Sequence, residues 1–568
     1  MEINNLHDIV IVGGGAAGMR AALAIVTENP NLKIAIISKV YPIRSHTVCA
    51  EGGIAAAIKD YDSKEKHAHD TVYGSDFLAD QDAVEFFTAK SPEEINYLEE
   101  LGCLWSRQED GEIAVRKFGG MSAPRTVYAA DKTGFYIMHS LFEKTLQFEN
   151  ISRYDEFFVT NLLVNDGKTN GVIAIDQKNG TLVVFEAKAV IMATGGAGRI
   201  YGHSTNSAIN TGDGIALSYN AGAALKDMEM IQFHPTTLPN GNLLITEAAR
   251  GDGGYLLNKH GERFMKKYAP ERMELAPRDL VSRAITSEIS AGNAASGPHG
   301  HYVNLDIRHL GAKTIREKLP TVRSICLTYL NIDPIKNLIP VTPAQHYFMG
   351  GISTDLNGNT TLKGLFACGE TACVSIHGAN RMGSNSLAEC LVFGHSTGLQ
   401  TAKYAASNKH TDSNYIKSKL EKENQKISSL FSASSPFTVF QIRKAMQETM
   451  DNHAGIIKNE TQLLKGLATI KELQEKAEQI RIKNHSLVFN NELTSLLELK
   501  YMLIIAEATL TSAIERRESR GSHFRSDYPT RNDQQPPEHT IINEAHGKMA
   551  IAKAPVKINQ WKPADRKY

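Results

Sequence analysis

Three groups of residues in this chain of 568 have the types and spacing for chemistry. The first is Gly13-Gly14-Gly15-Ala16-Ala17-Gly18, a turn that lets backbone approach a pyrophosphate while the helix after it offers unpaired N–H groups and a positive partial charge. The second is His46, alone in the polar, glycine-rich loop Arg44-Ser45-His46-Thr47-Val48-Cys49-Ala50-Glu51-Gly52-Gly53. The third is spread over five runs: Gln232-Phe233-His234-Pro235-Thr236, Ile245-Thr246-Glu247-Ala248-Ala249-Arg250-Gly251, Glu274-Leu275-Ala276-Pro277-Arg278-Asp279, Ala344-Gln345-His346-Tyr347, and His377-Gly378-Ala379-Asn380-Arg381-Met382-Gly383. An Arg fork suits a carboxylate because it donates two parallel N–H bonds, and the runs holding His346 and Arg381 have the residue types for such an anion site. Taken singly, Glu247 and Arg250 also fit a solvated ion pair on a helix face.

These groups need elements to position them. Asp8 to Val12 is an apolar, β-branched run that reads as a buried strand, followed by the glycine turn, an Ala-rich helix and a second strand from Ile34 to Ile37. Strand, glycine turn, helix and strand within about 30 residues is the βαβ context of a dinucleotide site. The acid that normally contacts the adenosine ribose is replaced by Ser38-Lys39, which weakens a plain NAD reading. Ala189 to Gly198 and Leu362 to Glu370 are further apolar strands ending in glycine turns. Both resemble the strands that complete the FAD-binding fold of two-dinucleotide-binding flavoproteins. The expected fold class is α/β: a Rossmann-like FAD-binding domain in two parts, residues 1–233 and 351–412, with an inserted α+β capping domain over 234–350. A helical domain over 413–530, rich in Lys/Glu pairs, and an irregular C-terminal region over 531–568 complete it.

Composition narrows the function. Lys+Arg 62 against Asp+Glu 62 leaves no net charge, so no global field draws nucleic acid, and any anion site is local. Six scattered cysteines without a Cys-x-x-Cys pair imply reduced thiols, no metal site and no iron–sulfur cluster on this chain. Met1 to Gly15 has neither the basic start nor the cleavage pattern of an export signal, and the longest apolar run, Tyr501 to Ile514, is too short for a span and contains Glu507. The expectation is a cytosolic chain, or one held at a membrane by a partner.

The run Arg44-Ser45-His46-Thr47, with the motifs above and Glu515-Arg516-Arg517-Glu518-Ser519-Arg520-Gly521 further on, resembles the flavoprotein subunit of fumarate reductases and succinate dehydrogenases, and the resemblance extends over nearly the whole chain. It implies FAD bonded covalently through its 8α-methyl to His46 and held by Gly13, Gly15, Gly18, Ser38, Lys39, Thr47, Gly53, Asp213, Glu370, Ser386 and Leu387. It further implies that His234 and Thr246 hold one substrate carboxylate, and that His346, Arg381 and Phe118 complete the pocket. Arg278 would protonate substrate, supplied by Glu247 and Arg250, with hydride transfer at FAD. The implied partners are an iron–sulfur subunit and a membrane anchor that exchanges electrons with quinone, which places the chain peripherally on the cytoplasmic face of the inner (plasma) membrane.

Direction rests on finer signs. Glu51 stands where many of the dehydrogenases carry Gln, and Phe118-Gly119-Gly120-Met121 runs almost directly into Arg125-Thr126; both resemble the reductases, with succinate dehydrogenase the alternative direction. L-Aspartate oxidase shares the fold but holds FAD non-covalently and lacks the histidine at position 46. A non-catalytic flavin-binding protein would be expected to lose members of the charged cluster. Asp213 and Glu370 also fit turn-capping acids.

Overall fold

Runs without polar alternation suit strands covered on both faces. Ile9–Val12, Ile34–Ser38 and Ala189–Met192 are such runs, and each is wholly buried. They form the middle of a five-stranded parallel sheet ordered Leu365–Ala367, Ala189–Met192, Ile9–Val12, Ile34–Ser38, Ile151–Asp155. This computed structural model describes residues 3–410, 413–432 and 434–567, so the domain boundary expected at 412 lies outside the described residues. The helix Ala16–Glu28 packs on Asn385–Ser407, where Gly394 and Gly398 have no Cβ to collide with the backbone of Ala17 and Ala21. A second sheet joins Ile3–Leu6, Thr181–Glu186, Lys168–Asp176 and Phe157–Asn165.

The strand Ile231–Thr237 pairs antiparallel with Ile339–Phe348, and the pairing runs on through Gly300–Asp306 to Tyr255–Leu257. Val281 and Ile285 of the helix Arg278–Ser290 join Val303, Leu305 and Val341 of this sheet in one core. The register sets His234 opposite Ala344, which leaves its ring 5.0 Å from that of His346.

Four helices follow: Ser413–Ser428, Val439–His453, Glu460–Glu478 and Asn491–Glu515. Three have capping side chains, Thr438 in a capping box with Gln441, Asn459, and Asn490. The stretch 531–568, expected to be irregular, instead holds an antiparallel hairpin, Glu538–Ala545 with Lys548–Pro555. His546 and Gly547, at φ 53° and 76°, make its two-residue turn, and Ile541 and Ile542 pair with Lys226 and Leu225 to extend another sheet. The strands were hidden because much of their length is exposed and polar; the His-Gly step was the available signal.

One buried charge in this region has a measurable consequence. Lys458, 2% exposed, has no hydrogen-bond partner for Nζ among the described residues, and burial pushes its pKa down to about 7 although Glu229 opposes the shift. Between about pH 7 and the ordinary lysine value the unfolded chain binds a proton that the folded chain does not, so this residue's contribution improves as pH rises through that window. Lys458→Met is therefore expected to raise the thermal midpoint by about 2 °C or more at pH 6, with the gain shrinking by pH 10. Calorimetry at the two pH values checks this, and a lower midpoint at pH 6 would contradict it.

Candidate active site

A cavity of about 840 Å³ opens where the glycine turn, the His46 loop and the 234–350 segment meet. Its wall includes Gly13, Gly15, Ser38, Lys39, His46, Thr47, Gly53, Asp213, Glu370, Ser386 and Leu387 along one part, and Phe118, His234, Thr246, Glu247, Arg278, His346 and Arg381 along the other. Gly18 and Arg250 are not on the wall and act from behind it.

Gly13 has φ +119°, and a Cβ there would lie 2.1 Å from the Ala193 carbonyl oxygen; one on Gly18 would lie 2.0 Å from that of Gly13. The turn fits between helix and sheet only as glycine. Gly15 at the N-cap carries no side chain, and Thr47 Oγ1 accepts the Ala16 N–H at 3.2 Å, so the turn and the His46 loop are joined beside the helix start. Such a cradle fits a dinucleotide pyrophosphate. Gly18→Ala is expected to lower the flavin content of the purified protein at least about fivefold, read from visible absorbance per chain, and full flavin content would contradict this role.

Lys39 answers the missing ribose acid. Its Nζ is bonded to Thr211 Oγ1 at 2.8 Å, Glu498 Oε1 at 2.9 Å and Asp213 Oδ2 at 3.1 Å. Burial alone would disfavour its charge, but Asp213 and Glu498 outweigh burial and hold the ammonium. Carboxylates are thus present at this end of the cavity, brought in through Lys39. Glu370 is buried, which pushes its pKa up to about 7, and its Oε1 accepts the Phe348 N–H at 3.0 Å. Gly53 has φ +129°. Ser386 Oγ accepts from Arg381 Nη1 at 3.0 Å, and Leu387 lies in the first turn of Asn385–Ser407.

Burial lowers the His46 pKa to about 4, so its ring is neutral at pH 7. Nδ1 lies 2.9 Å from Ser207 Oγ, and Nε2 lies 3.5 Å from Asn206 Nδ2, whose identity as a donor is set by its 2.7 Å bond to the His346 carbonyl. The Ser207 N–H also points at Nδ1 from 3.4 Å, so both ring nitrogens face donors and Ser207 Oγ can either donate or accept. In the same loop Glu51 has its pKa pushed up to about 8 by burial and then by the charge of Asp131, and its Oε2 has no partner among the described residues.

The alternative of a solvated Glu247–Arg250 pair does not hold, because both are buried. Glu247 Oε1 accepts the Gly119 N–H at 2.9 Å, and its Oε2 accepts Arg278 Nε at 2.7 Å with Arg250 Nη2 at 3.8 Å. Burial would raise the proton affinity of Glu247, but Arg278 and Arg250 more than reverse that. Arg278 Nη1 donates to Gln232 Oε1 at 3.1 Å, and Gln232 Nε2 donates in turn to the Arg381 carbonyl at 2.6 Å. His234 and His346 are both held well below the ordinary imidazole value, first by burial and then by the charge of Arg278. The backbone of Thr236 engages His234 Nδ1, while Nε2 is buried without a partner among the described residues. Arg381 sits over the Tyr347 ring at 4.4 Å with its Nε buried and unpartnered, and burial followed by the charge of Arg278 pushes its pKa down to about 10. Thr246 is buried, and the Phe118 ring packs where a Cβ on Gly52 would come within 3.0 Å.

Several participants carried no signal in sequence. Thr205, Asn206 and Ser207 orient His346 and His46 from a loop without a motif, and Thr205 Oγ1 is 2.7 Å from His346 Nδ1. Gln232 stood inside a quoted run without a role. Glu498 comes from the helix Asn491–Glu515, far along the chain.

A dinucleotide cradle opening onto a buried wall of histidines and arginines fits a class, the FAD-dependent oxidoreductases. Residues 8–387 match the FAD binding domain family, and residues 443–568 match the fumarate reductase flavoprotein C-terminal family. The fumarate reductase flavoprotein subunit of Mycobacterium tuberculosis is 49% identical over 577 residues, covering 99% of each chain. The succinate dehydrogenase flavoprotein subunit of Rickettsia felis is 41% identical over 100% of this chain and 99% of its own. A solved structure of Escherichia coli quinol fumarate reductase carrying a mutation matches with TM-score 0.98 at 44% identity, over 100% of this chain and 99% of that one. A quinol-fumarate reductase solved with menaquinol molecules matches at TM-score 0.96 and 45% identity, over 99% and 100%. The chain belongs to the fumarate reductase/succinate dehydrogenase flavoprotein-subunit family, and its α/β FAD-binding fold with a C-terminal helical domain is that family's fold.

Proposed function

We propose that this chain interconverts fumarate and succinate at FAD bonded covalently to His46, with fumarate reduction the favoured direction. Bound FAD supplies the two-electron exchange, which no side chain here provides. One observation carries the reading: buried nitrogens without a partner among the described residues, His234 Nε2 and the Arg381 Nε–H donor, stand on a cavity wall with His346 and Arg278. Desolvated donors of this kind call for an acceptor, and a dicarboxylate brings four carboxylate oxygens. His234 and Thr246 take one carboxylate, His346 and Arg381 the other, and Phe118 closes the pocket against water.

When fumarate is reduced, negative charge grows toward the carboxylate next to the carbon that will accept a proton, and fixed cations aimed there stabilise it. Arg278 donates that proton. Glu247 restores it across 2.7 Å, and Arg250, 3.8 Å further back, continues the route. Glu51 and the reductase relatives support the reductase direction; the Rickettsia felis relative keeps succinate dehydrogenase as the second reading. His46 weighs against L-aspartate oxidase.

Electrons would pass through an iron–sulfur partner and a membrane anchor to or from quinone, as the quinol-linked relatives suggest. Among the described residues no helix is long and apolar enough to cross a membrane, so attachment to the cytoplasmic face of the inner membrane would run through those partners. The test is a paired assay on the flavin-loaded protein: fumarate-dependent oxidation of a reduced viologen, and succinate-dependent reduction of a one-electron dye. A faster fumarate rate is expected. A faster succinate rate would reverse the direction, and no turnover either way would sink the dicarboxylate reading.

A further inference from the structure

The helix Arg278–Ser290 begins without a capping side chain, its N-cap position being Pro277. Its first turn is held by the residue after Arg278. The Asp279 side chain is buried, and its Oδ2 accepts Arg566 Nη2 at 2.9 Å and Arg283 Nη2 at 3.2 Å. Arg566 lies 287 positions further along the chain, and its Nε reaches Asp76 Oδ1 at 3.1 Å. Asp76 and the next residue, Phe77, both have positive φ, 55° and 58°. Non-glycine residues keep that conformation only where their surroundings impose it. Here Arg531 Nη1 donates to Asp76 Oδ1 at 2.6 Å, the Gly521 N–H to Oδ2 at 2.8 Å, and Arg520 Nη1 to the Asp76 carbonyl at 2.9 Å. One turn into the helix, Arg283 Nη1 donates to the Gly521 carbonyl at 2.6 Å.

We propose that Arg566 is a positioning residue for Arg278: it spans from the braced corner at Asp76 to Asp279 and fixes the helix turn from which Arg278 reaches Glu247 and Gln232. This rests on the proton-donor reading of Arg278 given above. Arg278 makes its two bonds at 2.7 and 3.1 Å, and a shift of about 1 Å in such a group can cost about a hundredfold in rate. Removing Arg566 takes one of two arginine partners from the buried Asp279 carboxylate and leaves it Arg283, and the helix start would shift or admit water to satisfy it.

The test uses the assembled holoenzyme, with fumarate turnover expressed per bound flavin. R566A is expected to lower kcat about tenfold with KM for fumarate within about twofold, and R566K, whose ammonium can pair with Asp279 alone, to recover part of the loss. Amide exchange at 279–283 is expected to quicken about tenfold in R566A. Wild-type kcat per flavin in R566A would overturn the proposal, as would a loss confined to KM or one explained by lost flavin. Should R566A not fold, R566K carries the test, with a kcat fall of about threefold expected and a wild-type kcat overturning it. Failure of the wild-type enzyme to turn over fumarate would instead sink the functional reading, and the exchange rates at 279–283 would still decide whether Arg566 fixes the helix start.

Discussion

Arg278→Lys is expected to lower kcat for fumarate reduction about a thousandfold or more while leaving KM within about threefold. The guanidinium works at several points together: Nε on Glu247 at 2.7 Å, Nη1 on Gln232 at 3.1 Å, and the rest of the group on the cavity wall. A lysine has one nitrogen and a shorter reach, so it cannot stay bonded to Glu247 and also face a substrate carbon. In the proposed reading carboxylate binding falls to His234, Thr246, His346 and Arg381, which line the same cavity and which the substitution leaves in place. Steady-state kinetics with reduced viologen separate the two effects. Turnover near wild type would remove Arg278 from the proton route, and a large rise in KM alone would make it a binding residue.

His46→Ser is expected to abolish covalent attachment completely while FAD still binds. On a denaturing gel the flavin fluorescence expected of the wild-type band should be absent from the variant, and acid precipitation should release all of the variant's flavin to the supernatant. Retention follows because the turn at Gly13 to Gly18, Thr47, Glu370 and the Asn385–Ser407 helix start remain. The loss follows because His46, its ring kept neutral by burial, is the nucleophile expected for the bond. An alkyl–histidyl link raises the flavin potential, so its removal should slow succinate-dependent dye reduction about tenfold or more and affect fumarate reduction less. A fluorescent band persisting in the variant would assign the attachment to another residue.

Much of the site was legible because its pieces are contiguous. Gly13 to Gly18 announces a turn that only glycine fits, and the run from Arg44 to Gly53 carries its histidine within ten residues. The polar runs around His234, Glu247, Arg278, His346 and Arg381 each stand out as short strings. Their convergence was not legible. It depends on the antiparallel register of Ile231–Thr237 with Ile339–Phe348, which brings two imidazoles within 5.0 Å although they are more than a hundred residues apart. Glu247 and Arg250 fitted an exposed ion pair equally well until burial decided between the readings. The hairpin after Glu538 carries little sequence signal because only His539, Thr540 and Ile542 of its strands are buried, and alternation is weak where little is buried.

Local chemistry, then, was determined by sequence alone: the dinucleotide turn, the lone histidine, the histidine and arginine residue types of the cavity wall and a chain without net charge. Those features are set by side-chain type and by conformational limits acting over a few residues, and both travel with the sequence. Charge state and partnership were decided by the tertiary structure. Lys39 meets Glu498 across 459 positions, Arg566 meets Asp279 across 287, and His46 loses its proton because the loop Thr205 to Ser207 and the surrounding walls exclude water. Desolvation and Coulomb interaction depend on distance in space, which strand register and domain packing set and which spacing along the chain does not encode.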